Sequence, residues 1–134
     1  MAVVSRVKEG TVLANCLAAD DVGDCVYVTA PPVGDYVQVS RVDPTDVNAK
    51  HSIGIITVKI DATTCMVRLS GIMRDVYTGM TSGERYWIGA DSKLTDVKPA
   101  PAPSDVFHLQ IMGVALGDEE LLLNPQTPVV LRGT

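Results

Sequence analysis

Two stretches decide the fold: VYTGMTSGERYWIGADSKLT at residues 76–95 and FHLQIMGVALGDEELLLNP at residues 107–125. Glycines at or beside turns divide them into short apolar runs, which predict strands over Arg85–Ile88, Phe107–Leu116 and Leu121–Asn124. Gly83 and Gly89 flank the first of these strands, where the chain reverses and a positive φ is expected. This pattern is typical of an all-β protein, and no catalytic residue set accompanies it.

Further strands are predicted before residue 76. GDCVYVTA predicts a strand over Cys25–Ala30 that Pro31-Pro32 ends, and DYVQVSRV at 35–42 alternates as the next strand. HSIGIITVKI at 51–60 and TCMVRLSGIM at 64–73 predict a hairpin. Gly54 and Gly71 within these runs indicate a bulge or a close backbone approach.

The connections carry their own signals. DPTDVNAKHS at 43–52 predicts one short helical turn, with Asp43 as N-cap and Pro44 at the first helical position. KPAPAPSD at 98–105 predicts an extended surface segment, and TPVVLRG at 127–133 predicts an edge strand. The expected fold is therefore a small antiparallel β-barrel or β-sandwich with one short helical turn.

Composition limits the possible partners. The 134 residues fit one domain, and the net charge of −5 without a basic run argues against a general nucleic-acid or membrane-surface binder. The apolar fraction is 46%, whereas charged residues supply only 20%, below the roughly 25% of ordinary soluble domains. Since small monomers seldom keep large apolar patches in water, we expect a homo-oligomer or a place in a larger assembly.

The first 20 residues differ from the rest of the chain. Val3, Val4, Val7 and Val12 fit either a first strand or an extended arm that docks on a neighbouring subunit. The sequence thus predicts an N-terminal arm or first strand at 1–20 and one β-domain at 21–134. The four valines are the candidate assembly-interface residues.

Candidate chemical sites are few, and each has a structural alternative. His51 and His108 lack a nucleophile motif, so structural roles are favoured, with His108 facing solvent or satisfied within its sheet. Cys16, Cys25 and Cys65 lack zinc-site spacing and are interpreted as buried apolar thiols, one bridge remaining an alternative.

Acidic and aromatic residues are the remaining candidates. Asp20, Asp21 and Asp24 lack the order of a calcium loop and favour a solvated acidic turn. Trp87 is predicted as a core anchor, the alternative being a sugar-stacking surface that Trp87 and Tyr86 could not share, because adjacent strand residues face opposite ways. No catalytic residue, cofactor or metal is predicted.

Residues 77–131 resemble β-rich virion structural proteins of tailed bacteriophages, such as head-decoration (cement) proteins and small fibre or appendage domains. The resemblance rests on the hairpin Y-x-G-M-T-x-G-x-R-Y-W-I-G-A-D-x-x-L-T and on L-Q-I-M-G-V-A-L-x-x-x-x-L-L-L-N-P. The matching positions are Gly79, Thr81, Gly83, Tyr86, Gly89, Asp91, Leu94, Thr95, Val114, Ala115, Leu116, Leu122, Asn124 and Pro125.

The resemblance implies a non-enzymatic structural role. A decoration protein would be made in the host cytoplasm, bind the major capsid protein on the capsid exterior and pack around a threefold axis as a homotrimer. The alternative is a receptor- or glycan-binding domain of a fibre or appendage. A cement protein stabilises a shell by adding buried area across subunit joints, so its task is burial and not catalysis.

Overall fold

The computed structural model describes residues 10–133, which form twelve β-strands and no helix. The all-β class is therefore confirmed. The strands are β1 Thr11–Asn15, β2 Cys25–Val33, β3 Tyr36–Arg41, β4 Gly54–Asp61, β5 Thr64–Arg68, β6 Gly71–Arg74, β7 Arg85–Ile88, β8 Leu94–Thr95, β9 Val106–Leu109, β10 Ile111–Gly117, β11 Glu120–Leu123 and β12 Val129–Arg132.

The first five strands are hydrogen-bonded in the cyclic order β1-β3-β2-β4-β5, and β5 pairs back with β1. The closing pair is antiparallel, with Thr11 opposite Arg68, whereas β1 and β3 run parallel, with Ala14 opposite Val37. The prediction of a purely antiparallel sheet is wrong at that pair. A ring with an odd number of strands cannot alternate direction throughout, so at least one neighbouring pair must be parallel.

Two hydrophobic clusters lie on opposite faces of the ring strands. The first consists of small and β-branched residues, namely Ala14, Cys16, Val26, Val39, Ile56, Cys65 and Val67. Cys25 and Ile55, each adjacent in sequence to a member of that cluster, belong to the second one because neighbouring strand residues face opposite ways. The ring therefore contributes to both clusters.

The second cluster joins the ring to a five-stranded sheet of order β6-β11-β10-β7-β8. The sheet contributes Ala115 and several larger side chains, namely Met73, Tyr86, Ile88, Met112, Leu121 and Leu123, and the loop between β6 and β7 adds Met80. Burying side chains of this size stabilises the folded state by about 1.5–3 kcal/mol each. This cluster fixes the sheet against the ring.

The predicted hairpin is confirmed as β4 and β5, which meet at the pair Asp61 and Thr64. Gly54 lies where two backbones approach closely, because a Cβ there would stand 2.1 Å from the carbonyl oxygen of Arg68. Gly71 instead has φ +90°, which turns the chain between β5 and β6.

The predicted end of β2 at Pro31-Pro32 is wrong, because the strand continues to Val33. Its pairing with β4 involves only Cys25 and Val26, so beyond them β3 is its one ladder partner among the described residues. Proline is tolerated on such an edge, and the register with β3 shifts on both sides of Ala30. Residues 28–35 are exposed throughout.

The predicted strand Phe107–Leu116 is divided at Gln110 into β9 and β10. Gln110 is buried, and its side-chain amide exchanges two hydrogen bonds of 2.9 Å with the backbone N–H and carbonyl of Ser52. β9 pairs with β12, and β10 pairs with β7 and β11. The predicted terminal edge strand is confirmed as β12.

The predicted helical turn at 43–52 is wrong. Backbone hydrogen bonds run from Asp46 N–H to Asp43 C=O and from Ala49 N–H to Asp46 C=O, which defines two successive turns. The carboxylates of Asp43 and Asp46 accept bonds from the N–H groups of Thr45 and Asn48. These local side-chain bonds stabilise turns in competition with a helix.

The expectation of positive φ is confirmed at Gly83 (+84°) and is wrong for Gly89, which does not have positive φ. Gly89 has a packing constraint instead, because a Cβ there would lie 3.1 Å from Oδ1 of Asp91. The two glycines therefore serve the Arg85–Ile88 strand for different reasons.

Candidate functional site

A groove of about 1020 Å³ lies between the turn at 43–47, the β7–β8 region and the proline-rich segment before β9. We call it the acidic groove, because its charged lining residues within the described chain are Asp91 and Asp105. Thr45, Thr95 and Ser104 add hydroxyls. The apolar and small lining residues are Val47, Gly89, Ala90, Leu94, Val97, Pro99, Ala100, Pro101, Val106 and Phe107.

A tight β7–β8 turn positions Asp91. The N–H of Gly89 donates to the carbonyl of Lys93 at 2.7 Å, and the N–H of Ser92 donates to the carbonyl of Gly89 at 3.0 Å. Oδ1 of Asp91 accepts the N–H of Lys93 at 3.1 Å. One carboxylate oxygen therefore stabilises the turn, and the charge lies at the wall of the groove.

The same turn is attached to the ring through buried polar groups. Ser92, with φ +70°, donates its hydroxyl proton to the carbonyl of Val42 and accepts the N–H of Cys25 at its own carbonyl, 2.8 Å away. The Lys93 ammonium lies 2.5 Å from Oδ1 of Asp24, whose side chain is 1% exposed. The other Asp24 oxygen accepts the N–H of Asp21 at 2.8 Å.

The prediction of a solvated acidic turn is therefore wrong for Asp20 and Asp24, both of which are buried. Asp20 accepts the N–H of Leu17 at 2.8 Å and closes its own loop. Asp24 is satisfied by Lys93, which lies 69 residues later in the chain. The position of Asp24 directly before a predicted strand was the one local signal for this pair, and nothing local identified the lysine.

Tyr77 lies at the same junction. Its hydroxyl donates to the carbonyl of Gly23 and accepts the N–H of Leu94 at 3.1 Å. Burial raises the pKa of the Tyr77 hydroxyl and of the adjacent Cys25 thiol far above their usual ranges, so both stay protonated at neutral pH. The Tyr77 hydroxyl therefore helps to position the β7–β8 turn, and both groups are poor nucleophiles.

The C-terminal strand holds the opposite wall of the groove. Gly133 donates its N–H to the carbonyl of Asp105 at 3.0 Å and forms a parallel bridge with Pro103. A Cβ at Gly133 would lie 1.8 Å from the carbonyl oxygen of Ala102, so only glycine fits this approach. The predicted extended segment at 98–105 is thus tied to the end of the chain.

A second candidate surface is the outer face of the five-stranded sheet. Ile72, Leu122, Val114 and Arg85 stand opposite one another across four strands. Ile72 is 40% exposed and Leu122 is 45% exposed, and Leu116 is exposed nearby. We call Ile72, Val114, Leu116 and Leu122 the outer sheet face. An exposed ion pair of 2.7 Å between Arg74 and Glu120 flanks it.

Tyr86 and Trp87 are neighbours in β7, so their side chains face opposite ways. Tyr86 is in the core and accepts the N–H of Thr81 at its hydroxyl, 3.0 Å away, whereas Trp87 is half-buried. Tyr86, and not Trp87, is therefore the core anchor, which corrects the prediction.

The remaining candidate residues are the valines, the cysteines and His108. Val12 lies in β1 opposite Val67 and packs against the first cluster, whereas Val3, Val4 and Val7 lie outside the described residues. The three cysteines are free and buried, as predicted. The prediction that the His108 imidazole faces solvent or is satisfied within its sheet is wrong, because its Nε2 is buried without a hydrogen-bond partner in the described structure.

Within residues 10–133, no group of three or more His, Cys, Asp or Glu side chains could hold a metal ion. The described part of the chain also contains no helix long and apolar enough to cross a membrane.

Comparison of the chain with protein-family models, with curated proteins and with solved structures gives no match.

Proposed function

We propose that this protein is a capsid decoration (cement) protein, a non-enzymatic virion component that binds the major capsid protein on the exterior of a phage head. Its fold would be a small β-barrel, formed by the five-strand ring, with the second sheet packed against it. A homotrimer is the favoured assembly, because decoration proteins of this style pack around threefold axes.

The outer sheet face carries the proposal. Ile72, Leu122 and Val114 stand side by side on neighbouring strands, and the first two remain exposed in the single chain. Covering apolar surface yields about 25 cal/mol for each Å² removed from water. A strand-supported apolar row is suited to a flat joint between shell subunits, where buried area stabilises the contact.

The first test is copy number. Quantitative mass spectrometry of purified virions should give many copies per particle, in a fixed ratio to the major capsid protein. A few copies per particle would contradict a cement role.

The second test locates the contact. Leu122→Lys places a charge in the centre of the outer sheet face, and we expect it to abolish binding to shells that lack the protein. Val129→Lys is the matched control, because Val129 is an exposed apolar strand residue on β12. Equal binding by both variants would exclude the outer sheet face as the shell contact.

The acidic groove favours a second candidate function, a receptor- or glycan-binding appendage domain. Its volume is at the upper end of the roughly 300–1,000 Å³ of ligand pockets, and it combines apolar walls with a few polar groups. An appendage would be present in few copies at a vertex or tail, so the copy-number measurement separates the two functions.

A further inference from the structure

The acidic groove and the N-terminal residues have complementary chemistry. Asp91 and Asp105 give the groove two carboxylates beside an apolar wall, in which Val47 is 68% and Val97 is 71% exposed. Residues 1–9 read MAVVSRVKE, which combines three valines with the cations Arg6 and Lys8 and the single acid Glu9. Opposite charges favour this pairing, and the valines would cover the exposed apolar wall.

Charge also decides between the acidic groove and a second large cavity. The other one, of about 850 Å³, lies between β6 and the ring and contains Thr11 in its wall. Its lining residue Thr11 follows closely after residues 1–9 in the sequence, but the charged residues in its lining are Arg68, Arg74 and Asp75. Two arginines against one carboxylate repel a cationic segment, so the acidic groove is the better match.

The distance around the ring favours a second molecule as the source. Thr11 pairs with Arg68, Arg68 with Ile55 and Ile55 with Cys25, and Cys25 bonds to Ser92 beside the groove. These four steps of about 5 Å amount to about 20 Å. Nine extended residues span at most about 30 Å, so in the same chain most of the segment would be used to reach the groove.

We propose that the acidic groove binds the N-terminal segment, residues 2–9, of a second copy of this chain. The contact is head-to-tail, because the surface that inserts differs from the surface that receives. Contacts of this kind close into a ring when the rotation between copies permits it. The contact is separate from the outer sheet face, so self-association and shell binding can fail independently.

The test uses two full-length charge variants. The segment variant, Arg6→Asp with Lys8→Asp, keeps the groove intact, and the groove variant, Asp91→Asn with Asp105→Asn, keeps the segment intact. Asparagine retains an oxygen that can accept the Lys93 N–H, so the β7–β8 turn should survive. Asp35→Asn, an exposed carboxylate at the β2–β3 turn, is the matched control.

Sedimentation velocity over a concentration series should show self-association of the wild type and of the control. Each charge variant alone should associate at least tenfold more weakly. An equimolar mixture of the two variants should form a dimer again, because the intact segment of one can enter the intact groove of the other. Asp105→Asn alone, whose side chain makes no hydrogen bond in the described structure, gives the same test if the double groove variant unfolds.

Three results would overturn the proposal. The wild type could remain monomeric at 100 µM, the charge variants could associate as strongly as the control, or the mixture could fail to restore a dimer. The first result would be expected if the segment binds the groove of its own chain, and the last would mean that the segment and the groove do not meet between molecules. A shell-binding defect of Leu122→Lys with unchanged self-association would leave the proposal intact.

Discussion

Lys93 helps to attach the β7–β8 turn to the ring, because its ammonium is the cationic partner of the buried Asp24 carboxylate. A buried carboxylate left without its partner costs far more than a surface charge does. The side chain of Lys93 itself is 37% exposed, so water can compensate part of the loss when it is replaced.

We expect Lys93→Met to lower the free energy of unfolding by about 1–3 kcal/mol, measured by urea denaturation. Lys50→Met, at an exposed lysine, is the matched control and should change it by less than about 0.5 kcal/mol. Adding Asp24→Asn to Lys93→Met should recover part of the loss. Equal effects of Lys93→Met and Lys50→Met would show that the pair contributes nothing to stability.

The buried thiols give a second prediction at this scale. Burial, together with a hydrogen bond to the Cys16 thiol, raises the pKa of Cys65 to about 12. The folded-state pKa lies above the ordinary value, so at pH 8 the reactive thiolate is only about one part in ten thousand.

We expect no iodoacetamide adduct on the native protein at pH 8, and three adducts after denaturation, by intact mass spectrometry. The denatured sample shows that the reagent is active. Alkylation of Cys65 in the native protein at the denatured rate would mean that the first cluster opens readily.

At the scale of elements, β1 is the strand that closes the ring, because it pairs with β3 on one side and β5 on the other. Thr11 is buried, and Val12 packs against the first cluster. The boundary between the N-terminal segment and β1 can therefore be located by deletions that differ by only three residues. A segment that serves assembly has to end before Thr11.

Two deletions test this boundary. Removing residues 2–9 leaves β1 whole, and we expect its urea midpoint to stay close to that of the wild type. Removing residues 2–12 also eliminates the pairs that Thr11 and Val12 make with Arg68 and Val67, so the midpoint should fall clearly or folding should fail. Equal midpoints for both deletions would mean that the start of β1 contributes little to the ring.

At the scale of the whole molecule, the two proposed contacts rest on different forces. The outer sheet face contributes apolar area, which salt does not screen, whereas the acidic groove relies partly on charge. Between about 0.1 M and 1 M NaCl the screening length falls from about 10 Å to about 3 Å.

Occupancy on particles should therefore survive 1 M NaCl, whereas self-association through the groove should weaken. Sedimentation of particles, with quantification of the bound protein, measures the first effect, and sedimentation velocity of the free protein measures the second. Release of most copies from particles at 1 M NaCl would show that charge pairing dominates shell attachment and would favour the appendage function.

The local sequence predicted the elements whose signal is itself local. Alternating valines and glycine-bearing turns indicated the all-β class, the β4–β5 hairpin, β7 and the terminal strand β12. Burial of the three thiols followed from their lack of zinc-site spacing and from the apolar character of a free cysteine. At 43–52 the helix-capping signal competed with the tendency of aspartate to bond its own backbone. The side-chain bonds of Asp43 and Asp46 prevailed, so two turns form where a helical turn was predicted.

What only the tertiary structure decided involves partners far apart in the chain. The parallel pair β1–β3 follows from closing five strands, and the break at Gln110 follows from its bonds to Ser52, 58 residues away. Asp24 is buried because Lys93 reaches it, and the acidic groove exists because Gly133 fixes the segment before β9. Strand propensity and turn chemistry act over a few residues, whereas ring closure, ion pairing and groove walls depend on which distant residues meet.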